Sequence, residues 1–167
     1  MNHFLKTFIA LSVLFISALQ LKAQSEDEEE RSDVLQFNTV EKAPIIEGCQ
    51  DLETYTAQSD CFQSGVVNYV AENFKYPSKA YAKGVEAKIY IDFIVEKDAS
   101  ISNVKVLRGA EDKYRENKSL IKYARQLDEA AIAVVKELPM AAPAMQRDDA
   151  VRMRFTLPIN ANIPKSE

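Results

Sequence analysis

The chain has 167 residues, with 21 Lys and Arg against 25 Asp and Glu, a net charge of −4 and a single histidine. An acidic balance excludes nucleic-acid binding, which needs a basic footprint, and four scattered glycines (Gly48, Gly65, Gly84 and Gly109) exclude a Gly-rich phosphate loop. The lone histidine is His3, so the body of the chain has no His ligand, base or nucleophile partner; no catalysis, metal or cofactor is expected.

In chain order, Lys6 precedes an apolar run from Thr7 to Leu21, and Leu21-Lys22-Ala23 supplies a small residue for cleavage. Residues 1–23 therefore read as a secretory signal peptide. The run is about 15 residues long with Ser12 and Ser17 inside it, short of the ~20 that span a bilayer; the alternative is an uncleaved membrane anchor. No cysteine follows it, so lipoprotein anchoring is not expected. Its removal leaves 144 residues with 19 basic groups (21 less Lys6 and Lys22) against 25 acidic, a charge of −6. That is enough chain for one domain with its own core, and no long charge-free apolar stretch remains, so the exported chain should be soluble.

Residues 24–42 read as an acidic disordered tail, because Glu26-Asp27-Glu28-Glu29-Glu30 is a solvated charge run. Residues 43–61 form a lead-in containing both cysteines, Cys49 and Cys61, with eleven residues between them. That spacing fits neither a redox Cys-x-x-Cys site nor zinc ligation, and export places it under oxidising conditions; a structural disulfide is the expectation.

The domain itself should occupy residues 62–163. Asp60 with Gln63 resembles a capping box, and Phe62, Val66, Val70 and Phe74 recur every fourth residue, with Val67 on the same side, as one buried helical face. Pro77 stops that helix and pushes Tyr76 into an extended conformation. Ser78 to Lys83 can make one further turn, ended by Gly84. Val85, Ala87, Ile89, Ile91, Phe93 and Val95 then alternate with Glu86, Lys88, Tyr90, Asp92 and Glu96, broken only by Ile94. Lys97-Asp98-Ala99-Ser100 turns the chain, and Val104 and Val106 resume the apolar face, so this is a β-hairpin with one covered face.

Leu120, Ala124, Leu127, Ala131, Val134 and Leu138 mark an amphipathic helix stopped by Pro139. Its start is open: Asn117 caps a long helix, or Asp128 caps a short one after a separate helical piece. The carboxylate pairs Asp128-Glu129 and Asp148-Asp149 are ordinary for helix starts and loops. Val151, Met153, Phe155 and Leu157 alternate with Arg152, Arg154 and Thr156 in a final strand ended by Pro158.

The hairpin's second strand runs back and a helix crosses the sheet, so the last strand must pair with the first. An α+β domain follows: a three-stranded antiparallel sheet in the order second, first, last, with helices on one face. The strand Val85–Val95 is central and Val151–Leu157 is an edge. Arg152 and Arg154 either protect that edge or flank a backbone that accepts a partner's strand.

These residues resemble the TonB C-terminal domain family of Gram-negative envelopes, in its Bacteroidetes form. The resemblance rests on Tyr76-Pro77, Ala80 and Gly84, on the strand–turn–strand from Ile89 to Arg108-Gly109, and on Leu127-Asp128-Glu129-Ala130-Ala131. It continues through Leu138-Pro139, Pro143, Gln146-Arg147 and Val151-Arg152-Met153-Arg154-Phe155-Thr156-Leu157-Pro158-Ile159-Asn160, with Pro44 to Gly48-Cys49 and Cys61-Phe62 as the lead-in. It implies a periplasmic domain that binds TonB-dependent outer-membrane receptors, the last strand pairing with a short receptor segment, the TonB box. The partner-binding residues it implies are Tyr76, Pro77, Val151, Arg152, Met153, Arg154, Phe155, Thr156 and Leu157.

The chain departs from the family at several places. Gln24 to Lys42 holds no proline and so no periplasm-spanning linker. Ala87 and Ala99 replace glycines of the strand start and turn, Ala141-Ala142-Pro143-Ala144 replaces Trp-x-Pro-Gly, and Ala110 to Arg125 is an insertion. The expectation is a stand-alone exported domain that binds an envelope partner without transmitting force from an inner-membrane motor. Two alternatives are a truncated transducer anchored in the inner membrane by residues 1–23, and an envelope structural protein whose edge strands pair into dimers.

Overall fold

The computed structural model describes residues 33–163; the expected signal peptide and the acidic run at residues 26–30 lie outside them. A single compact unit begins at Leu35. No helix among the described residues is long and apolar enough to cross a membrane.

The chain opens with a short strand, β1 (Val34–Gln36), and a single 3-10 turn, Phe37–Thr39. The sequence reads residues 24–42 as one tail, but from Leu35 the chain is built into the structure, because Leu35 and Phe37 have apolar side chains that pack on the core. Strand β2 (Ile45–Ile46) follows, then helix α1 (Tyr55–Asn73). Thr54, not Asp60, caps α1: its hydroxyl accepts the Ala57 N–H at 3.2 Å, six residues earlier than the Asp60–Gln63 pattern indicates. Phe62, Val66 and Val70 are buried as their spacing requires, whereas Val67 is 51% exposed, rotated out of the buried face. The Cys49–Cys61 disulfide is present and ties the lead-in to α1. Beside it Gly65 lets β2 approach, since a Cβ there would lie 2.6 Å from Ile46 Cγ2.

After α1 come the one-turn helix α2 (Ser78–Ala82), β3 (Ala87–Val95), β4 (Ile101–Arg108), the short helix α3 (Ala110–Lys113) and α4 (Ile121–Lys136). The last third is strand: β5 (Met140–Ala142), β6 (Ala144–Gln146) and the long β7 (Asp149–Ala161). Helix α4 starts where Asn117 organises the entry, its side chain accepting the N–H groups of Ser119 and Leu120 at 3.2 Å. Asp128 caps no start of its own helix. From the second turn of α4 it reaches across to accept the N–H groups of Ala110 (2.7 Å) and Glu111 (2.8 Å), and so caps α3. Burial pushes its carboxyl above the usual carboxylate range, those two hydrogen bonds pulling the other way.

The main sheet has five strands rather than the three expected, in the order β1-β7-β3-β4 with β6 also pairing β7; β2 and β5 form a separate two-stranded sheet. The additional strands are short, three residues each in β1 and β6, and carry no long alternating pattern of their own. Strand β3 runs antiparallel to both β4 and β7. Its residues Ile89, Ile91, Phe93 and Val95 join Phe62 and Val66 of α1 and Leu127 and Ala131 of α4 in one buried cluster. Ile94, the residue that breaks the alternation, is 3% exposed outside that cluster, between its cross-strand partners Arg154 and Ser102.

Candidate partner-binding edge

A partner strand needs a regular row of unpaired backbone groups, and the two sides of the sheet differ in this respect. On one side lies β4, whose pairing with β3 shifts register twice, between Tyr90 and Ile91 and between Asp92 and Ile94. Asn103, at the second irregularity, sits in the left-handed region at φ +49°. Bulges of this kind twist an edge away from further pairing. Strand β7 pairs with β3 without a shift from Ala87–Ala161 to Val95–Met153. Its outer side is not wholly open, however. The sequence places Val151–Leu157 at the margin of the sheet; the structure places β1 beyond it. Strand β1 has three residues and β6 pairs with Asp149–Val151, against the thirteen residues of β7.

Pro158 identifies which backbone groups face outward. It lies opposite Tyr90 within the regular ladder. A proline has no N–H to give and is tolerated where that group would point away from the neighbouring strand. Arg154 and Thr156, an even number of positions away within that ladder, therefore turn their N–H and C=O groups outward.

The side chains of the same stretch serve the fold. Met153 and Leu157 are buried, at 0% and 2% exposed. The Phe155 ring packs edge-on against Phe62 at 5.2 Å, Phe93 at 5.8 Å and Phe37 at 5.1 Å between centroids. Arg152 Nε lies 2.7 Å from Glu96 Oε2, and this hydrogen bond holds the Glu96 carboxyl below its usual range despite partial burial. Arg154 Nε lies 3.6 Å from buried Asp92, which also accepts the Thr156 hydroxyl at 3.2 Å. Both arginines thus bend onto carboxylates, Arg154 onto Asp92 of β3 and Arg152 onto Glu96 just after it. What the stretch offers a partner is main chain.

Beside the far end of β7 runs an apolar groove of about 350 Å³ between α1 and the strand, lined by Val67, Val70, Ala71, Phe74, Leu157 and Ile159. The spacing of the sequence places Val67 and Phe74 on the buried helical face; the one signal for a groove is that Val67 falls one residue off the four-residue step. Tyr76, the other expected contact, sits against this groove through Phe74, ring to ring at 5.9 Å. Its hydroxyl donates to the Val85 carbonyl. Burial, with help from nearby acidic groups, pushes its pKa up to about 12. Tyr76 therefore locks the Gly84 turn, where φ is +65°, while Pro77 stands at the N-cap of α2. Among the described residues no group of three or more His, Cys, Asp or Glu side chains could hold a metal ion.

The family of the Gram-negative bacterial TonB protein C-terminal matches residues 72–162, more than half of the chain, from the end of α1 to the end of β7. The chain belongs to the TonB C-terminal domain family. Domains of this family serve energy transduction and protein interaction in the bacterial envelope and are not enzymes. Among solved structures, the chain is similar to an NMR structure of the Helicobacter pylori TonB C-terminal domain. The two share 15% identity over 70% of this chain and 89% of that one, with a TM-score of 0.41. No curated protein matches the chain.

Proposed function

We propose that this protein is an exported, periplasmic TonB C-terminal-like domain that binds TonB-dependent outer-membrane receptors by adding a short receptor strand to the outer edge of β7. The observation that carries this reading is the contrast between the two sides of the sheet. Strand β4 is broken by register shifts, while β7 is regular throughout its pairing with β3 and flanked by an apolar groove. Main-chain hydrogen bonds to Arg154 and Thr156 would supply affinity, and apolar side chains of the receptor segment would enter the groove beside Leu157 and Ile159. Tyr76 and Pro77 border the contact through Phe74. Coupling to an inner-membrane motor is no part of this reading, since residues 24–42 contain no proline-rich spacer.

The test is affinity capture from outer-membrane extract with the exported chain, followed by identification of the captured proteins. Arg154→Pro removes an outward donor yet leaves the β3 ladder intact, as Pro158 does, and should abolish capture of TonB-dependent receptors. Arg154→Ala keeps the donor and should capture them as wild type does. Circular dichroism checks that both variants fold. Equal recovery by all three, or no receptor among the captured proteins, overturns the reading. Intact mass of the protein recovered from cells addresses the anchor: a mass that includes residues 1–23 would replace the exported form by the anchored one.

A further inference from the structure

The segment in front of the domain shows what the β7 edge accepts. Strand β1 pairs with β7, and the next residue, Phe37, inserts its ring against Phe62 at 5.3 Å and Phe155 at 5.1 Å. Leu35 also packs on the core. A three-residue strand is too short to hold an edge by its hydrogen bonds alone, so the aromatic ring is the main anchor. Downstream, the same segment is fastened to the β6–β7 hairpin. Lys42 exchanges both backbone hydrogen bonds with Met145 at 3.0 Å, and its ammonium lies 3.0 Å from Asp148. Glu41 accepts the Arg147 N–H at 2.8 Å. Arg147 and Asp148 form a tight turn with φ of +51° and +65°. The segment is thus fastened to the hairpin at residues 41 and 42, and residues 35–37 are held by one short pairing and by the packing of Leu35 and Phe37.

We propose that Leu35–Phe37 is an exchangeable guard of the β7 edge, occupying by one short pairing and one aromatic plug the place of an extended partner segment that carries an aromatic side chain just past its strand. The proposal deepens the reading of β7 as the docking edge and rests on it. The guard protects an edge that would otherwise template aggregation. The fixed point at Lys42 keeps the displaced guard tethered, so it re-closes when the partner leaves. A partner segment must displace the guard, and its affinity is reduced by the small fraction of chains in which the edge is open.

The test uses the full exported chain and a synthetic peptide of its own residues 33–39, Asp-Val-Leu-Gln-Phe-Asn-Thr. Phe37→Ala removes the plug while leaving β3, β4 and the hairpin untouched. Amide exchange should then speed up at outward N–H groups of β7 that β1 covers, with Met153, Phe155 and Leu157 keeping their protection against β3. The peptide should bind Phe37→Ala about tenfold more tightly than wild type, and a peptide with Ala for its Phe should lose that gain. Unchanged exchange in Phe37→Ala, or equal peptide binding to both chains, overturns the proposal. Faster exchange and peptide binding without receptor capture by wild type would keep the guard and remove the receptor.

Discussion

At Ala99 one side chain is in the wrong conformation for its type. The turn from β3 to β4 closes through Glu96 N–H to Ser100 O at 2.9 Å and Ala99 N–H to Glu96 O at 3.0 Å, and this geometry places Ala99 at φ +66°. A Cβ in the left-handed region costs about 1 kcal/mol, which glycine avoids. The resemblance to the family places a glycine at this turn, so the alanine found there has a physical cost. Ala99→Gly should stabilise the protein by about 1 kcal/mol in urea unfolding, and no gain would mean that the turn relaxes in solution. Gly109 illustrates the opposite constraint: a Cβ there would fall 2.4 Å from Asp128 Oδ1, and that carboxylate is fixed by two backbone hydrogen bonds. The Leu-Asp-Glu motif is thus explained by a contact with α3, which lies eighteen residues earlier in the chain and leaves no local trace.

At the scale of elements, the outer face of the sheet is held by charge. Glu96, the residue after β3, bonds to Arg152 on β7 through two nitrogens, at 2.7 and 3.2 Å, and accepts the Ser102 hydroxyl of β4, so one carboxylate ties the end of β3 to both its neighbours. Its folded-state pKa is depressed, so the linkage has a definite sign. Its stabilising contribution is full above the carboxylate's unfolded value and is lost as pH falls through the depressed one. Glu96→Gln should therefore destabilise the protein at pH 7 and approach wild-type stability near about pH 3, as measured by urea midpoints at the two pH values. A constant difference would assign the effect to shape rather than charge. Alternation in the sequence identified β3, β4 and β7 as strands. It did not identify β1, β5 and β6, which have three residues each and no room for a period. The same limit hid the guard at Phe37, whose anchor is a contact with Phe62 and Phe155 far along the chain.

At the scale of the whole molecule, the disulfide joins the lead-in to the domain. It closes a short loop, with a sequence separation of 12, and is worth about 3 kcal/mol in the chain-entropy model. Reduction should lower the urea midpoint accordingly, and Cys49→Ala/Cys61→Ala should match the reduced wild type. A double variant as stable as the oxidised protein would show that α1 and β2 need no staple. Cys61 adjoins Phe62, the ring on which Phe37 stacks, so loss of the bridge should also loosen the guard.

By itself the sequence determined the α+β class, the central hairpin, the cysteine pair and membership of the TonB C-terminal family, because each is written in local spacing: period two, a four-residue step, a Tyr-Pro corner. Tertiary structure alone decided what those elements face. It turned Val67 outward to a groove, gave Asp128 to a distant helix end, and folded Arg152 and Arg154 back onto the carboxylates of Glu96 and Asp92. It also placed a strand of the expected tail beside β7. These depend on which surfaces meet across the chain, and side-chain periodicity carries no record of the neighbour on the other side.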